Sequence, residues 1–226
     1  MRKRTFAFLI FSALSLGLVI CIVLFTNKPS DKKEKLPFKI KSFAFTTDYG
    51  QVYYAACLHN PNDDYYIKHP SYRVTARDGD GKVLATDDIT SFYGMYPGED
   101  VWYGGRLFTV NESPTTVDLQ VLELEDRMYL SPSKVEYKDF EPLAVKNVTL
   151  VNEEHMCRLL GEVENNNDYS IDSVEIVIVF KNESGDIIAA ETSTVKDVSG
   201  NSLTPFDEDM YIRFATDNYD IYAYAR

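Results

Sequence analysis

Val174, Ile176, Ile178 and Phe180 alternate with Glu175, Val177 and Val179, and Asn182-Glu183-Ser184-Gly185 then leads into Ile187-Ile188. A period of two marks a β-strand, and apolar residues at both phases mark one covered on both faces. The Gly-containing turn joins it to a second strand as a hairpin. Residues 72–83 repeat the arrangement 104 positions earlier, with Asp78-Gly79-Asp80-Gly81 at the turn.

The correspondence extends in both directions. Asn60-Pro61-Asn62-Asp63 stands 105 positions before Asn165-Asn166-Asn167-Asp168, and Met95-Tyr96-Pro97 stands 108 before Leu203-Thr204-Pro205. A period this long is a whole domain and not a solenoid unit. Residues 51–58 and 157–163 read as corresponding strands, and no window beyond residue 26 carries a helical stripe. The expected body is all-β: two tandem antiparallel β-sandwich domains over residues 38–140 and 141–226. Residues 123–142, with Pro132 and Pro142, form a connector or trailing strand.

Ahead of this body, residues 6–25 hold no charge. Twenty helical residues span about 30 Å, the thickness of bilayer hydrocarbon. No small-x-small cleavage site follows Phe25, and Ile20 is too bulky for the position before a lipidated cysteine at Cys21. The expectation is a transmembrane anchor over residues 1–26 and a juxtamembrane linker over 27–37. Cleavage and lipidation stay open as alternatives. Arg2, Lys3 and Arg4 favour a cytoplasmic N-terminus, which puts the body outside the cytoplasm at the cell membrane, although lysines also follow the run.

The chain has 226 residues and a formal charge of −12. The basic residues cluster near the anchor. From Ser42 onward 14 basic side chains face 33 acidic ones. Such a body is repelled by phosphate backbones, which sets nucleic acid aside as a partner. Cys57 and Cys157 are the cysteines of the body. They do not occupy equivalent repeat positions, and they read as buried thiols more readily than as a bridge.

The order of strand, Asn-rich turn, alternating strand, acidic-Gly turn, further strand, Pro turn and last strand resembles the FxLYD-type domain. That domain is an immunoglobulin-like module of bacterial envelope proteins. The resemblance covers most of residues 40–226. It rests on Gly161-Glu162-Val163-Glu164-Asn165-Asn166, residues 176–180, Gly185 and Leu203-Thr204-Pro205. At the name-giving motif the chain has Val74-Thr75-Ala76-Arg77-Asp78 and Ile178-Val179-Phe180-Lys181-Asn182, of which Asp78 alone fits the acidic end. The resemblance implies a binding or structural module and no catalysis.

The residues themselves offer no catalytic, cofactor or metal constellation. Asp78, Asp80, Asp87 and Asp88 have oxygen ligands for a hard cation, but lack the later bidentate acid of a calcium loop. Asp and Gly are also what a tight turn needs. His59, His69 and His155 have no ligand partner at metal spacing. Asn111, Asn147 and Asn182 match the glycosylation sequon. The difference between the repeats is aromatic. Phe92, Tyr93, Tyr96, Trp102 and Tyr103 crowd a stretch that also holds Gly94, Gly98, Gly104 and Gly105. Such rings cap the end of the first sandwich, fill an interdomain seam, or form a contact surface. Tyr93, Tyr96, Trp102 and Tyr103 are therefore the candidate partner-binding residues, with an envelope protein or a glycan as the partner. The leading function is a non-enzymatic, extracytoplasmic interaction or adaptor module. A structural spacer is the alternative. A metal-assisted hydrolase using Asp78, Asp80 and a histidine is a more distant one.

Overall fold

Turns at Gly50, Gly81 and Gly185, all at positive φ, close antiparallel hairpins. In chain order the strands are β1 (Lys39–Asp48), β2 (Gln51–His59), β3 (Tyr66–Ile67), β4 (Ser71–Arg77), β5 (Val83–Thr90), β6 (Asp100–Phe108) and β7 (Thr116–Val121). They continue as β8 (Tyr129–Leu130), β9 (Ala144–Asn152), β10 (Cys157–Asn165), β11 (Ile171–Lys181), β12 (Ile187–Val198), β13 (Ser202–Met210) and β14 (Tyr219–Ala225). Every strand pairing is antiparallel.

This computed structural model describes residues 34–48, 50–109, 112–135, 141–152, 156–210, 212 and 216–225. The apolar run expected to be an anchor lies outside them, as does His155. Among the described residues no helix is long and apolar enough to cross a membrane. Residues Lys35–Arg226 form one compact unit.

The duplication is visible in the sheets. The first repeat has sheets ordered β1-β2-β6 and β5-β4-β7, and the second has β9-β10-β13 and β12-β11-β14. The hairpin turns coincide in detail. The Asp78 carboxylate accepts from the N–H of Asp80 (3.0 Å) and of Lys82 (2.9 Å), and the Asn182 side-chain oxygen accepts from the N–H of Asp186 (2.8 Å). The acidic-Gly sequence therefore serves its own backbone. The Pro turn, in contrast, is not shared. Asp100 lies opposite His59 and Leu203 opposite Glu164, so the last strands correspond at an offset of 103. Pro97 precedes β6, whereas Pro205 lies inside β13. Correct register also equates Tyr103, opposite Ala56, with Phe206, opposite Gly161.

Each repeat closes around its own core. In the first, Val52, Tyr54, Ala56 and Leu58 meet Tyr72, Val74, Ala76 and Val117. In the second, Leu159 and Val163 meet Val174, Ile176, Ile178 and Phe180. A third apolar layer joins the repeats: Ala55, Val177, Val179 and Ala190, flanked by Trp102, Ile187, Tyr222 and Tyr224. This explains why β2 and β11 are apolar at both phases, since each is covered by its own repeat on one face and by the other repeat on the second. The sheets in contact are unlike, β1-β2-β6 of one repeat and β12-β11-β14 of the other.

Small residues let the backbones approach. A Cβ on Gly104 would lie 2.6 Å from the backbone carbonyl of Ala190. Beside it Arg106 makes a two-pronged pair with Glu191, at 2.8 and 3.1 Å, and its guanidinium lies 5.5 Å from the Tyr53 ring centroid. Burial raises the Glu191 carboxyl above its ordinary range, while Arg106 pulls the other way.

The Asn-x-Asn sequences are not simple turns. Asn60 and Asn165 are fully buried, and Asn62 and Asn167 nearly so. The Asn60 amide donates to the carbonyls of Tyr65, Met95 and Tyr96 at 2.8–3.0 Å, and its oxygen accepts from the Asn62 N–H and amide. Asn62 pairs in both directions with the Leu36 backbone. Asn165 repeats this with Tyr169, Val198 and Asn167, and Asn167 with Glu141.

Two predictions follow from this packing. Asn165→Ala should lower the unfolding free energy by about 3 kcal/mol, since it strands several buried groups. The exposed neighbour change Asn166→Ala should stay within about 0.5 kcal/mol. Urea denaturation of the two variants measures both. Arg106→Ala leaves Glu191 buried without its counter-charge and should cost about 3 kcal/mol, while Arg106→Met with Glu191→Leu should recover most of that loss. Thermal unfolding of the single and double variants compares the two.

Candidate functional site

The stretch 92–105 leaves the end of β5, crosses the top of the first sandwich and becomes β6. Its backbone is pinned at both sides. Ile67 and Met95 exchange two main-chain hydrogen bonds, at 3.0 and 2.9 Å, and the Asn60 amide holds the Met95 and Tyr96 carbonyls. Alternation then sorts the side chains. Tyr93 and Met95 point inward, 5% and 0% exposed, and Phe92 points out, 73% exposed.

Of the four candidate partner-binding residues, Tyr93 and Tyr103 are buried and offer no contact face. They stack on each other at 4.9 Å and 7°, and Tyr93 stacks on Tyr224 at 5.2 Å and 6°. Trp102 is half-buried, stacks on Tyr222 at 6.3 Å, and donates its backbone N–H to the Tyr224 hydroxyl at 3.0 Å. The Tyr93 hydroxyl donates to the Trp102 carbonyl at 2.8 Å. Burial drives the phenols of Tyr93, Tyr103 and Tyr224 well above the ordinary range. The Tyr93 and Tyr224 hydroxyls are hydrogen-bonded, whereas the Tyr103 hydroxyl is buried without a partner among the described residues. Tyr103 occupies the core position that Phe206 fills in the second repeat. Tyr93 and Trp102 belong to the seam. The glycines act by close approach more than by turning. A Cβ on Gly94 would meet the Tyr66 hydroxyl at 2.2 Å, and Gly98 is the one glycine of the stretch with positive φ.

Tyr96 is placed differently. It lies edge-on to Tyr66, centroids 5.0 Å apart, and its N–H donates to the Glu99 carboxylate at 2.7 Å. Burial raises the Glu99 carboxyl, against the hydrogen bond from Tyr96. Tyr96, Tyr66 and Phe92 line a cleft of about 1030 Å³ between the repeats. Its other walls are Leu130, Lys134 and Val135 of the connector, residues 142–145 entering β9, and residues 221–225 of β14. This is the size range of ligand clefts. Besides its tyrosines, the charged or titratable groups that line it are Lys68, His69, Glu99, Asp100 and Lys134. Asp100 accepts from Lys41 and from His59, and these partners hold its carboxyl below the usual range, Lys41 foremost.

Sequence reading did not single out Tyr222 and Tyr224, although their period-two spacing places both on one face of β14. Phe92 stands with its neighbours in sequence but points the other way, in a bend that the Met95 bridge to Ile67 fixes. Both described histidines are engaged, His59 with Asp100 and His69 with the Ser91 carbonyl at 3.0 Å. Among the described residues no three His, Cys, Asp or Glu side chains gather as a metal site. Cys57 and Cys157 are free buried thiols, each pushed up to about 11 by burial.

No family model matches the chain, and no curated protein does. Among solved structures it is aligned with the N-terminal CBM22-1-CBM22-2 tandem domain of Paenibacillus barcinonensis Xyn10C. The identity is 9%, over 87% of this chain and 88% of that one, with a TM-score of 0.19. A likeness that low carries no argument about fold or ligand.

Truncation separates the interior rings from the exposed one. Tyr93→Ala should destabilise by about 3–5 kcal/mol, as deletion of a fully packed ring does. Phe92→Ala should change stability by no more than about 0.5 kcal/mol. Chemical denaturation of the two adjacent variants reads the difference directly.

Proposed function

We propose that this chain is a non-enzymatic interaction module, held outside the cytoplasm by an N-terminal membrane anchor, that engages an envelope partner at the cleft between its repeats. The observation that carries this reading is Phe92, an aromatic ring 73% exposed on the wall of a cleft of about 1030 Å³. An exposed ring beside half-buried Tyr66 and Tyr96 offers apolar area with polar edges, the composition of contact surfaces. The uncharged run 6–25 supports the anchor, and the acidic body supports a partner other than nucleic acid. The duplicated pair of three-stranded sheets supports reading each repeat as an FxLYD-type, immunoglobulin-like sandwich.

The apolar seam favours a second reading, a rigid spacer, because it locks the repeats into one body. The hydrolase reading has less behind it. The Asp78 carboxylate is committed to the turn backbone, and His59 and His69 are committed elsewhere.

A photoreactive phenylalanine analogue placed at position 92 or at position 108 of the full chain, in its native envelope, tests the assignment. Phe108 is the control, 68% exposed and away from the cleft. A discrete crosslinked species is expected from position 92 alone. Equal labelling from both positions would reject the cleft, and no product from either would leave the spacer. N-terminal sequencing of the same membrane preparation should find residues 6–25 still attached, and a terminus beyond Phe25 would remove the anchor.

A further inference from the structure

Five consecutive residues of β14, 221–225, border the cleft. Neighbouring side chains on a strand point to opposite faces, so a cavity lying on one face touches every second residue. Both faces of β14 are also occupied. Ile221, Ala223 and Ala225 pack on the core of the second repeat, and Tyr222 and Tyr224 pack into the seam. What the cleft reaches along the whole segment is therefore the strand's edge, the row of backbone N–H and C=O groups turned away from β11. β14 is the terminal strand of its sheet among the described residues.

The other edges of the three-stranded sheets carry charge, proline or a register shift that opposes further pairing: Lys39 and Lys41 in β1, Asp87 and Asp88 in β5, Asp100 and Arg106 in β6, Asp118 in β7, Lys146 in β9, Lys196 and Asp197 in β12, and Pro205 in β13. Residues 221–225 have no charge, proline or register shift. We infer that this edge is a docking slot for an extended peptide segment of another protein, about five residues long, which adds to β12-β11-β14 as a fourth strand. The inference rests on the cleft being the contact site. Hydrogen bonds to the backbone edge select an extended chain, and five residues span about 16 Å. Side chains on one side of such a segment meet Phe92 and Tyr96, which asks for apolar residues at alternate positions. The rim acids are engaged, Glu99 with the Tyr96 N–H and Asp100 with Lys41 and His59, whereas Lys68 and Lys134 make no ion pair among the described residues. The segment that fits best ends in, or carries, a carboxylate.

The test uses the full chain in detergent micelles and three synthetic heptapeptides that alternate threonine with valine, phenylalanine or tyrosine, each with a free C-terminal carboxylate. Residue-resolved amide exchange is followed over 219–225. At least one peptide should slow exchange tenfold or more at alternate amides of 221–225. Methylating alternate backbone nitrogens of that peptide should abolish the effect, and Phe92→Ala should weaken binding at least tenfold. Equal protection by the methylated peptide, protection elsewhere only, or no protection by any peptide overturns the inference. Protection that grows with protein concentration alone assigns the edge to a second copy of this chain and also overturns it. A position-92 crosslink without edge protection would sink the strand-addition mode and leave the cleft as the contact site.

Discussion

Two buried asparagines per repeat hold this molecule in its topology. An amide removed from water costs several kcal/mol unless all its bonds are remade, so its position is strongly determined once it is satisfied. Asn60 and Asn165 each sit just past or at the end of a central strand and take hold of the segment before the last strand of the same sheet. Through Asn62 and Asn167 the same network grips the chain that enters the first strand, at Leu36 and Glu141. Three segments far apart in sequence are thereby fixed at one end of each sandwich. In the first repeat the gripped carbonyls are those of Met95 and Tyr96, which decides that Phe92 and Tyr96 line the cleft while Tyr93 turns inward.

The seam has a different chemistry. Alanines, valines and Gly104 at its centre permit close backbone approach, and tyrosines at its margin supply area together with hydrogen-bonding edges. Burying each valine there contributes about 1.5–3 kcal/mol. The Arg106–Glu191 pair adds orientation more than stability, because two charges leaving water recover little net energy. The rings of Tyr103, Tyr93 and Tyr224 form a stack that runs from the core of one repeat into the last strand of the other.

Much of this was legible in residue order. The hairpins at 72–83 and 176–187 announced themselves by period-two alternation and Gly turns, because local sterics and hydrogen bonds determine both. The duplication followed from them. Apolar residues at both phases of 174–180 revealed a doubly covered strand but not what covers it, since the second cover is another domain and leaves no local trace. The Asn clusters read as turns because burial of an amide depends on partners 26 to 36 positions away. Tyr93 and Tyr103 could be read either as seam or as contact surface because an aromatic-rich stretch looks the same whether its neighbours are solvent or a second sandwich. The proline match misled for a related reason, as similar tripeptides fell on opposite sides of a strand boundary.

Because the contacting sheets are unlike, the two repeats are related head to tail and not by a two-fold axis. Such packing has a direction and does not close on itself, so in principle a third unit could be laid on either end. The outermost strands present a different surface. Arg73 pairs with Asp88 on one terminal face, and Arg158 with Asp207 on the other. These faces lack the alanine and valine carpet that β2 and β11 present. The two outward faces thus carry paired charge where the seam carries alanine and valine, so the repeat's small apolar surface is spent once, on its sister.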